Sequence, residues 1–169
     1  MSFYSIAQYL KYRWKARGRH GTHSPFVYDF VERVLLDQSP LQKEYIVEYR
    51  ELPLRMENIL SRVAARYELR NRLYVPGNKD DGHATIDMLL LNEAVHEEWN
   101  VLLGKYSDRL GDDSIVVATG IHKNRYCNAA WNNLRNQPKV RMSIDLYDAG
   151  LLLLRPEFKQ RQQFVLRQL

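Results

Sequence analysis

The stretch "SIVVATGIHKN", residues 114–124, runs from apolar, β-branched residues into polar ones. Thr119 and Gly120 end the apolar run, and His122 follows two residues after Gly120. Open α/β folds bind ligands at the carboxyl ends of their strands, and a histidine there can act as a general base. Cys127, about one helical turn further on, would permit a Cys–His pair, although a lone cysteine is more often a core residue.

Three other groups of polar residues form weaker patterns. His20 and His23 stand three residues apart, but no third ligand follows at a supporting spacing, so we expect no metal site. The segment "VPGNKDDG", residues 75–82, matches neither the dinucleotide-binding motif nor the P-loop. The glutamates and histidine of "NEAVHEEW", residues 92–99, would suit a general base, but an acidic first helical turn is the simpler interpretation.

Apolar periodicity predicts the elements that position these residues. Helices are expected at 3–16, from Pro25 onward, at 41–68 with an interruption near Pro53, at 93–110 and at 124–137. Strands are expected at 73–75, 86–91, 114–118, 139–146 and 150–155, with an extended tail at 163–169. The alternation of strands and helices after residue 84 predicts an α/β fold with a parallel sheet. We expect one compact domain, with a helical segment over 1–68 and the sheet over 69–169.

Composition places the chain among ordinary globular proteins. It has 169 residues, 45% of them hydrophobic and 27% charged. The single cysteine excludes an internal disulfide and indicates a reducing, cytoplasmic setting. No apolar run approaches the roughly 20 residues that span a membrane, and we identify no signal peptide, so we expect no membrane contact.

Much of the net charge of +5 comes from an N-terminal group of basic residues: Lys11, Arg13, Lys15, Arg17 and Arg19. Such a group suggests a nucleic-acid-binding module, which we keep as an alternative function. Alternate-residue spacing, however, distributes the charges around a helix instead of along one face. A solvated helix end is the simpler interpretation, and we do not expect nucleic acid as a partner.

Several sequence segments together resemble those of bacterial class I S-adenosylmethionine-dependent methyltransferases of the O-methyltransferase-like type. "HGTHSPFVYDFVERVLLD" is similar to their N-terminal signature, and "IDMLLLNEAVH" to their fourth strand. The sequence from "LGDDSIVVATGIHKN" to "GLLLLR" is similar to their fifth strand, the next helix and the terminal strand pair. The resemblance covers roughly residues 1–50 and 84–169, and it implies a Rossmann-like sheet flanked by helices.

The chain departs from this family where the family holds its cofactor and metal. The family has a glycine-rich loop after its first strand and an acidic residue ending the second, yet only residues 69–86 stand where it has three strands. The corresponding positions here are degenerate: Gly77, Asn92, Thr119 and Gly120. The last three replace carboxylates that serve as metal ligands in related methyltransferases, so we expect no metal. Because the glycine-rich loop and the acidic residue are missing, we also expect no adenosylmethionine. His122 alone matches the family's histidine.

We therefore expect a truncated, Rossmann-like, mostly parallel sheet that has lost adenosylmethionine binding and catalysis. Such a protein would act by binding a protein partner or a second copy of itself, and His122 would hold a turn. An active methyltransferase, with adenosylmethionine bound in an atypical pocket around Gly77, Asn92 and His122, is the alternative.

The short connection between the first two strands predicts how they pair. Parallel neighbours usually need a crossover of about a dozen residues, and "GNKDDGHAT" is shorter. If strand 73–75 pairs with strand 86–91, we expect an antiparallel hairpin. Otherwise the edge of 86–91 stays open, and the N-terminal helices or a second copy in a homodimer would cover it.

Overall fold

The computed structural model describes residues 24–49, 51–77, 80 and 82–166. The predicted helix at 3–16 lies outside the described residues, as do His20 and His23. So do the basic residues of the N-terminal group: Lys11, Arg13, Lys15, Arg17 and Arg19. The nucleic-acid-binding alternative therefore stays a prediction from the sequence.

Among the described residues, two helices precede the sheet. Helix α1 spans Pro25–Phe30 and continues as a π-helical turn over Val31–Leu35. Proline suits the first position of a helix because its missing N–H needs no partner there. Helix α2 spans Leu54–Arg66, so the predicted third helix begins only after Pro53. Before it, the chain makes a single 3-10 turn, Lys43–Tyr45, and then runs extended.

Six strands form one sheet. They are β1 Arg72–Val75, β2 Ile86–Leu91, β3 Leu110–Thr119, β4 Met142–Asp145, β5 Ala149–Leu153 and β6 Gln162–Val165. Their order across the sheet is β1-β2-β3-β5-β4-β6. The pairs β1–β2, β2–β3 and β4–β6 are parallel, whereas β3–β5 and β4–β5 are antiparallel. The predicted α/β sheet with flanking helices is confirmed, but the sheet is mixed because β4 and β5 form a hairpin.

The predicted antiparallel pairing of the first two strands is wrong. β1 and β2 are parallel, with Arg72 opposite Met88 and Val75 opposite Leu91. β1 has only 4 residues, so the chain must return only about 13 Å to begin β2. The connecting residues 76–85 can span roughly 33 Å when extended, so a bare loop suffices as the crossover.

Two helical segments follow β2 and β3. A 3-10 segment at Glu93–Glu98, broken at Val95, leads into helix α3 at Trp99–Lys105. The helix predicted at 93–110 is therefore shorter, because its first six residues form the irregular segment and the regular helix ends at Lys105. Helix α4 spans Arg125–Arg135, close to its predicted range. No helix of the described residues is long and apolar enough to span a membrane.

Helices cover both faces of the sheet. Met88 and Leu90 of β2 face a core that includes residues of α1 and α2. Leu89 and Leu91 face the opposite core, which includes residues of α3 and α4. Strands covered on both faces have nearly continuous apolar runs, as seen at 88–91 in β2 and 115–118 in β3.

Helix α4 packs closely on β5. Trp131 of α4 is 1% exposed and lies against Gly150 of β5, where a Cβ would fall 2.4 Å from the Trp131 ring. Only glycine leaves room for the indole at this position, so the helix sits directly on the strand backbone.

Candidate functional site

The carboxyl ends of β1, β2 and β3 meet at one edge of the sheet, because the three strands are parallel neighbours. Gly77 lies two residues beyond β1, Asn92 follows β2 directly, and Thr119 and Gly120 end β3. The backbone N–H of Asn92 donates to the carbonyl of Val75 at 2.9 Å, which continues the ladder between β1 and β2. The fold thus brings the four predicted cofactor positions to the same edge.

The Asn92 side chain is fully engaged within the protein. Its Oδ1 accepts from the backbone N–H of Ala94 at 2.6 Å, which caps the following 3-10 segment. Its Nδ2 donates to the Tyr49 hydroxyl at 2.6 Å and also to the Glu51 carboxylate. The backbone carbonyl accepts from Trp99 Nε1 at 2.9 Å. Asn92 is 2% exposed, so these partners surround it.

Tyr49 lies in the extended segment before α2 and contacts the carboxyl ends of β1 and β2. Its ring packs edge-on against Tyr74 of β1, with the ring centroids 5.8 Å apart. Burial, together with the Glu51 carboxylate, raises the pKa of Tyr49 to about 12. The hydroxyl therefore stays protonated at neutral pH.

Glu93 and Thr119 join the ends of β2 and β3. The Thr119 hydroxyl donates to Glu93 Oε2 at 2.8 Å and accepts from the Glu93 backbone N–H at 3.2 Å. Lys123 Nζ donates to Glu93 Oε1 at 2.8 Å. Burial acts to raise the pKa of Glu93, but the bonds from Lys123 and Thr119 outweigh burial and lower it. The same ion pair raises the pKa of Lys123.

Gly120 adopts a conformation that only glycine takes readily. Its φ is +62°, and a Cβ at this position would lie 2.8 Å from the Cβ of Glu93. The Gly120 backbone N–H donates to the carbonyl of Asp148 at 2.7 Å. The open face of this glycine is therefore covered by the Glu93 side chain.

Both ring nitrogens of His122 bond to protein side chains. Nε2 lies 2.7 Å from Asp145 Oδ2, and Nδ1 lies 2.9 Å from Asn128 Nδ2. Asn128 Oδ1 accepts from Asn132 Nδ2 at 3.3 Å, which orients the Asn128 amide so that its nitrogen faces the ring. Nδ1 thus accepts, and Nε2 carries the proton donated to Asp145. The ring also stacks on Tyr147, with centroids 5.3 Å apart.

Hydrogen bonds and ring stacking hold the His122 ring in place. The residue is 9% exposed, and its contacts connect the end of β3 to α4 and to the β4–β5 turn. Tyr147 in that turn has a φ of +71°, a conformation unusual for tyrosine. A general base needs a ring nitrogen directed at its substrate, whereas the His122 nitrogens point to Asp145 and Asn128.

The other candidate groups do not assemble into a reactive site in the part of the chain that the structure describes. Cys127 is 1% exposed, and burial raises the pKa of its thiol. His122 bonds to Asp145 and Asn128 instead of Cys127, so the Cys–His pair does not form. His96 Nδ1 lies 2.9 Å from the carbonyl of Glu93. Across 24–49, 51–77, 80 and 82–166, no three His, Cys, Asp or Glu residues could hold a metal ion.

Sequence reasoning missed most partners of the site. Asp145 ends a fully buried strand, and a carboxylate in such a run could have signalled a buried partner. Lys123 is adjacent to His122 but has no local pattern that points to Glu93. Tyr49 and Glu51 come from a segment predicted as helix, and nothing in that segment indicates contact with Asn92.

No protein-family model, curated protein or solved structure matches this chain. The resemblance to methyltransferases therefore stays a hypothesis, which the geometry of the strand ends can support or weaken.

Proposed function

We propose that this chain is a shortened methyltransferase-like protein that does not bind adenosylmethionine and acts by binding a protein partner or a second copy of itself. The observation that carries the proposal is the contact between Glu93 and Gly120. Open α/β folds bind their ligands in the crevice at the carboxyl ends of the strands. Here the Glu93 side chain lies against Gly120 at that position, which supports a site occupied by the protein's own side chain.

The strand order supports a Rossmann-like origin. Rossmann sheets have the order 3-2-1-4-5-6. The resemblance equates β2 and β3 with the family's fourth and fifth strands, and we assign β1, which precedes them, to its first. These three strands are parallel neighbours here in that order. Residues 76–85 then replace the family's second and third strands, which accounts for the missing half of the cofactor site.

The active-methyltransferase alternative requires free polar groups around Gly77, Asn92 and His122. The Asn92 amide instead bonds to Tyr49 and Glu51, and the His122 ring bonds to Asp145 and Asn128. A cofactor would have to break these contacts and the ion pair of Glu93 before it could bind. The proposal of a non-catalytic protein needs no such rearrangement.

Isothermal titration calorimetry with adenosylmethionine tests the proposal. We expect no saturable heat from the full chain, because an acidic residue for the ribose hydroxyls and a glycine-rich loop are both missing. The Glu93→Ala variant, which uncovers Gly120, is expected to behave in the same way. An authentic class I methyltransferase in the same buffer serves as the positive control. Saturable binding at micromolar affinity by the unmodified chain would overturn the proposal.

A further inference from the structure

We infer that a cleft at the amino ends of β3 and β4 binds a short aliphatic carboxylic acid. The cleft has a volume of about 260 Å³, and its lining includes four apolar residues, two cations and one carboxylate. We call it the lower cleft. The inference goes beyond the proposed function, because the lower cleft and the site around Gly120 lie at opposite ends of β3.

The apolar residues of the lower cleft continue one of the two cores outward. Leu103 of α3 is 5% exposed and belongs to the core on the side of the sheet covered by α3 and α4. Leu110 at the start of β3 and Leu154 just after β5 are partly buried and pack against the same core. An aliphatic chain that covers these two leucines would remove apolar surface from water, which favours binding.

Two cations lie on the β4 side of the lower cleft. Arg141 directly precedes β4, and its backbone N–H donates to the carbonyl of Leu153 at 3.0 Å. Because Met142 pairs with Leu153 in the antiparallel hairpin, Arg141 stands opposite Leu154. Lys139, two residues earlier, also lines the cleft. The cationic groups therefore lie beside the apolar surface of Leu154.

Neither cation has a partner in the part of the chain that the structure describes. The side chains of Lys139 and Arg141 make no hydrogen bond, ion pair or ring contact with the described residues. A guanidinium presents paired N–H donors that match the two oxygens of a carboxylate. A ligand carboxylate can therefore bind Arg141 without displacing a side chain of the protein.

The one carboxylate of the lining lies on the other side of the lower cleft. Asp112 belongs to β3, and β5 separates β3 from β4 in the sheet. Neighbouring strands are about 4.8 Å apart, so β3 and β4 are roughly 10 Å apart. Asp113, the next residue, already pairs with Arg155 at 3.1 Å. A bound acid therefore places its carboxylate at Arg141 and extends its chain over Leu154 toward β3.

The size of the lower cleft favours a small acid. Sites for drug-sized ligands usually have volumes of about 300–1,000 Å³. At about 260 Å³ the lower cleft is smaller than that. It suits a straight-chain acid such as hexanoate, whose chain reaches across the leucines from the cationic side.

Isothermal titration calorimetry of the full chain with acetate, butanoate and hexanoate, at constant ionic strength, tests the inference. We expect saturable binding of hexanoate, with an affinity that rises up to about fourfold for each added methylene that becomes buried. Hexanol and hexylamine have the same chain without the carboxylate, so each should bind at least about tenfold more weakly than hexanoate.

Variants of the cations locate the carboxylate. Arg141→Gln should weaken hexanoate binding about tenfold, because a charge-assisted contact is lost. Arg141→Lys keeps the charge but loses the planar fork, so it should weaken binding several-fold. Lys139→Gln should also weaken binding several-fold. Its matched control is Lys43→Gln, since Lys43 is an equally exposed lysine outside the lining, and that variant should bind like the parent.

The thermal transition of each variant is recorded beside the titration, and the comparison of hexanoate with hexanol and hexylamine needs no variant at all. Three results would overturn the inference: no saturable heat with hexanoate, equal affinities for hexanoate and hexanol, or equal effects of Lys139→Gln and Lys43→Gln in proteins with the parent's thermal transition.

Discussion

Gly120 shows how one residue determines the packing of the strand ends. Its positive φ turns the chain out of β3, and its missing side chain leaves room for Glu93. Glu93 then bonds to Thr119 and Lys123, so the polar contacts at this edge depend on the backbone conformation of one glycine.

Replacing Gly120 by alanine should destabilise the protein by about 1–3 kcal/mol. The new Cβ would meet both an unfavourable φ and the Cβ of Glu93, neither of which can shift freely. Gly104→Ala is the matched control, because Gly104 lies in helix α3 with no heavy atom within 4 Å of an added Cβ. That variant should be neutral or more stable, as alanine favours helices. Chemical denaturation measures both, and equal effects would contradict the packing described.

The ion pair of Glu93 predicts a dependence of stability on pH. The folded protein lowers the pKa of Glu93, so its contribution is present above the unfolded pKa and is lost as pH falls through the folded value. Glu93→Gln should cost about 1 kcal/mol at neutral pH. The difference from the parent should shrink as the pH falls below about 4.

Urea denaturation of both proteins across this pH range tests the prediction. The exposed Glu97 of the same segment offers a control, Glu97→Gln, which should follow the parent at every pH. A difference between parent and Glu93→Gln that stays constant down to low pH would show that the carboxylate charge does not matter.

At the scale of elements, His122 ties three pieces of structure together. Its ring bonds to α4 through Asn128 and to the end of β4 through Asp145, and it stacks on the β4–β5 turn at Tyr147. Because β5 lies between β3 and β4 in the sheet, these contacts fix the hairpin against the strand it pairs with.

His122→Ala should destabilise the protein by about 1–3 kcal/mol, because the buried Asp145 Oδ2 loses its hydrogen bond to the ring while Oδ1 keeps the one from the Tyr147 N–H. Thermal and urea denaturation measure this loss. His96→Ala serves as the control and should cost less, since His96 makes a single described hydrogen bond, to a backbone carbonyl. The alternative of an active enzyme predicts the reverse pattern, with His122→Ala abolishing methyl transfer in a protein of unchanged stability.

At the scale of the whole molecule, the sheet has short outer strands. β1 pairs with the edge of β2 that would otherwise be open. That edge therefore needs no second copy of the chain to cover it. The outer strands, β1 and β6, each have 4 residues. The backbone N–H of Gln162 in β6 donates to the carbonyl of Arg141, just before β4. The N–H of Leu166, just after β6, donates to the carbonyl of Asp145 in β4. The alternation of a strand therefore turns the N–H of Gln163 toward the outer edge of β6, where no strand of the described residues pairs.

We propose a homodimer formed through this edge, which predicts a mass of about twice the 20.0 kDa of one chain. Gln163→Pro removes an N–H donor from the open edge while sparing the bonds to β4, so it should shift the protein to a monomer. Multi-angle light scattering over a range of protein concentrations measures both masses. A parent protein with the mass of one chain at every concentration would contradict the dimer.

The sequence by itself determined the elements whose signals are local. The apolar runs of β2 and β3 and the periodicity of α4 were visible because burial on one or both faces sets the residue pattern. The same reasoning located Asn92, Thr119 and Gly120 at strand ends, and parallel pairing then placed them together.

Only the tertiary structure decided how β1 pairs and which partners the polar residues take. The bonds from Asn92 to Tyr49, from Thr119 to Glu93 and from His122 to Asp145 join residues 43, 26 and 23 positions apart. Periodicity specifies which face of an element is buried, but not which distant side chain will lie opposite a given polar atom. That pairing depends on the order of the strands and the path of the loops, which together bring Glu93 against Gly120 at the strand ends.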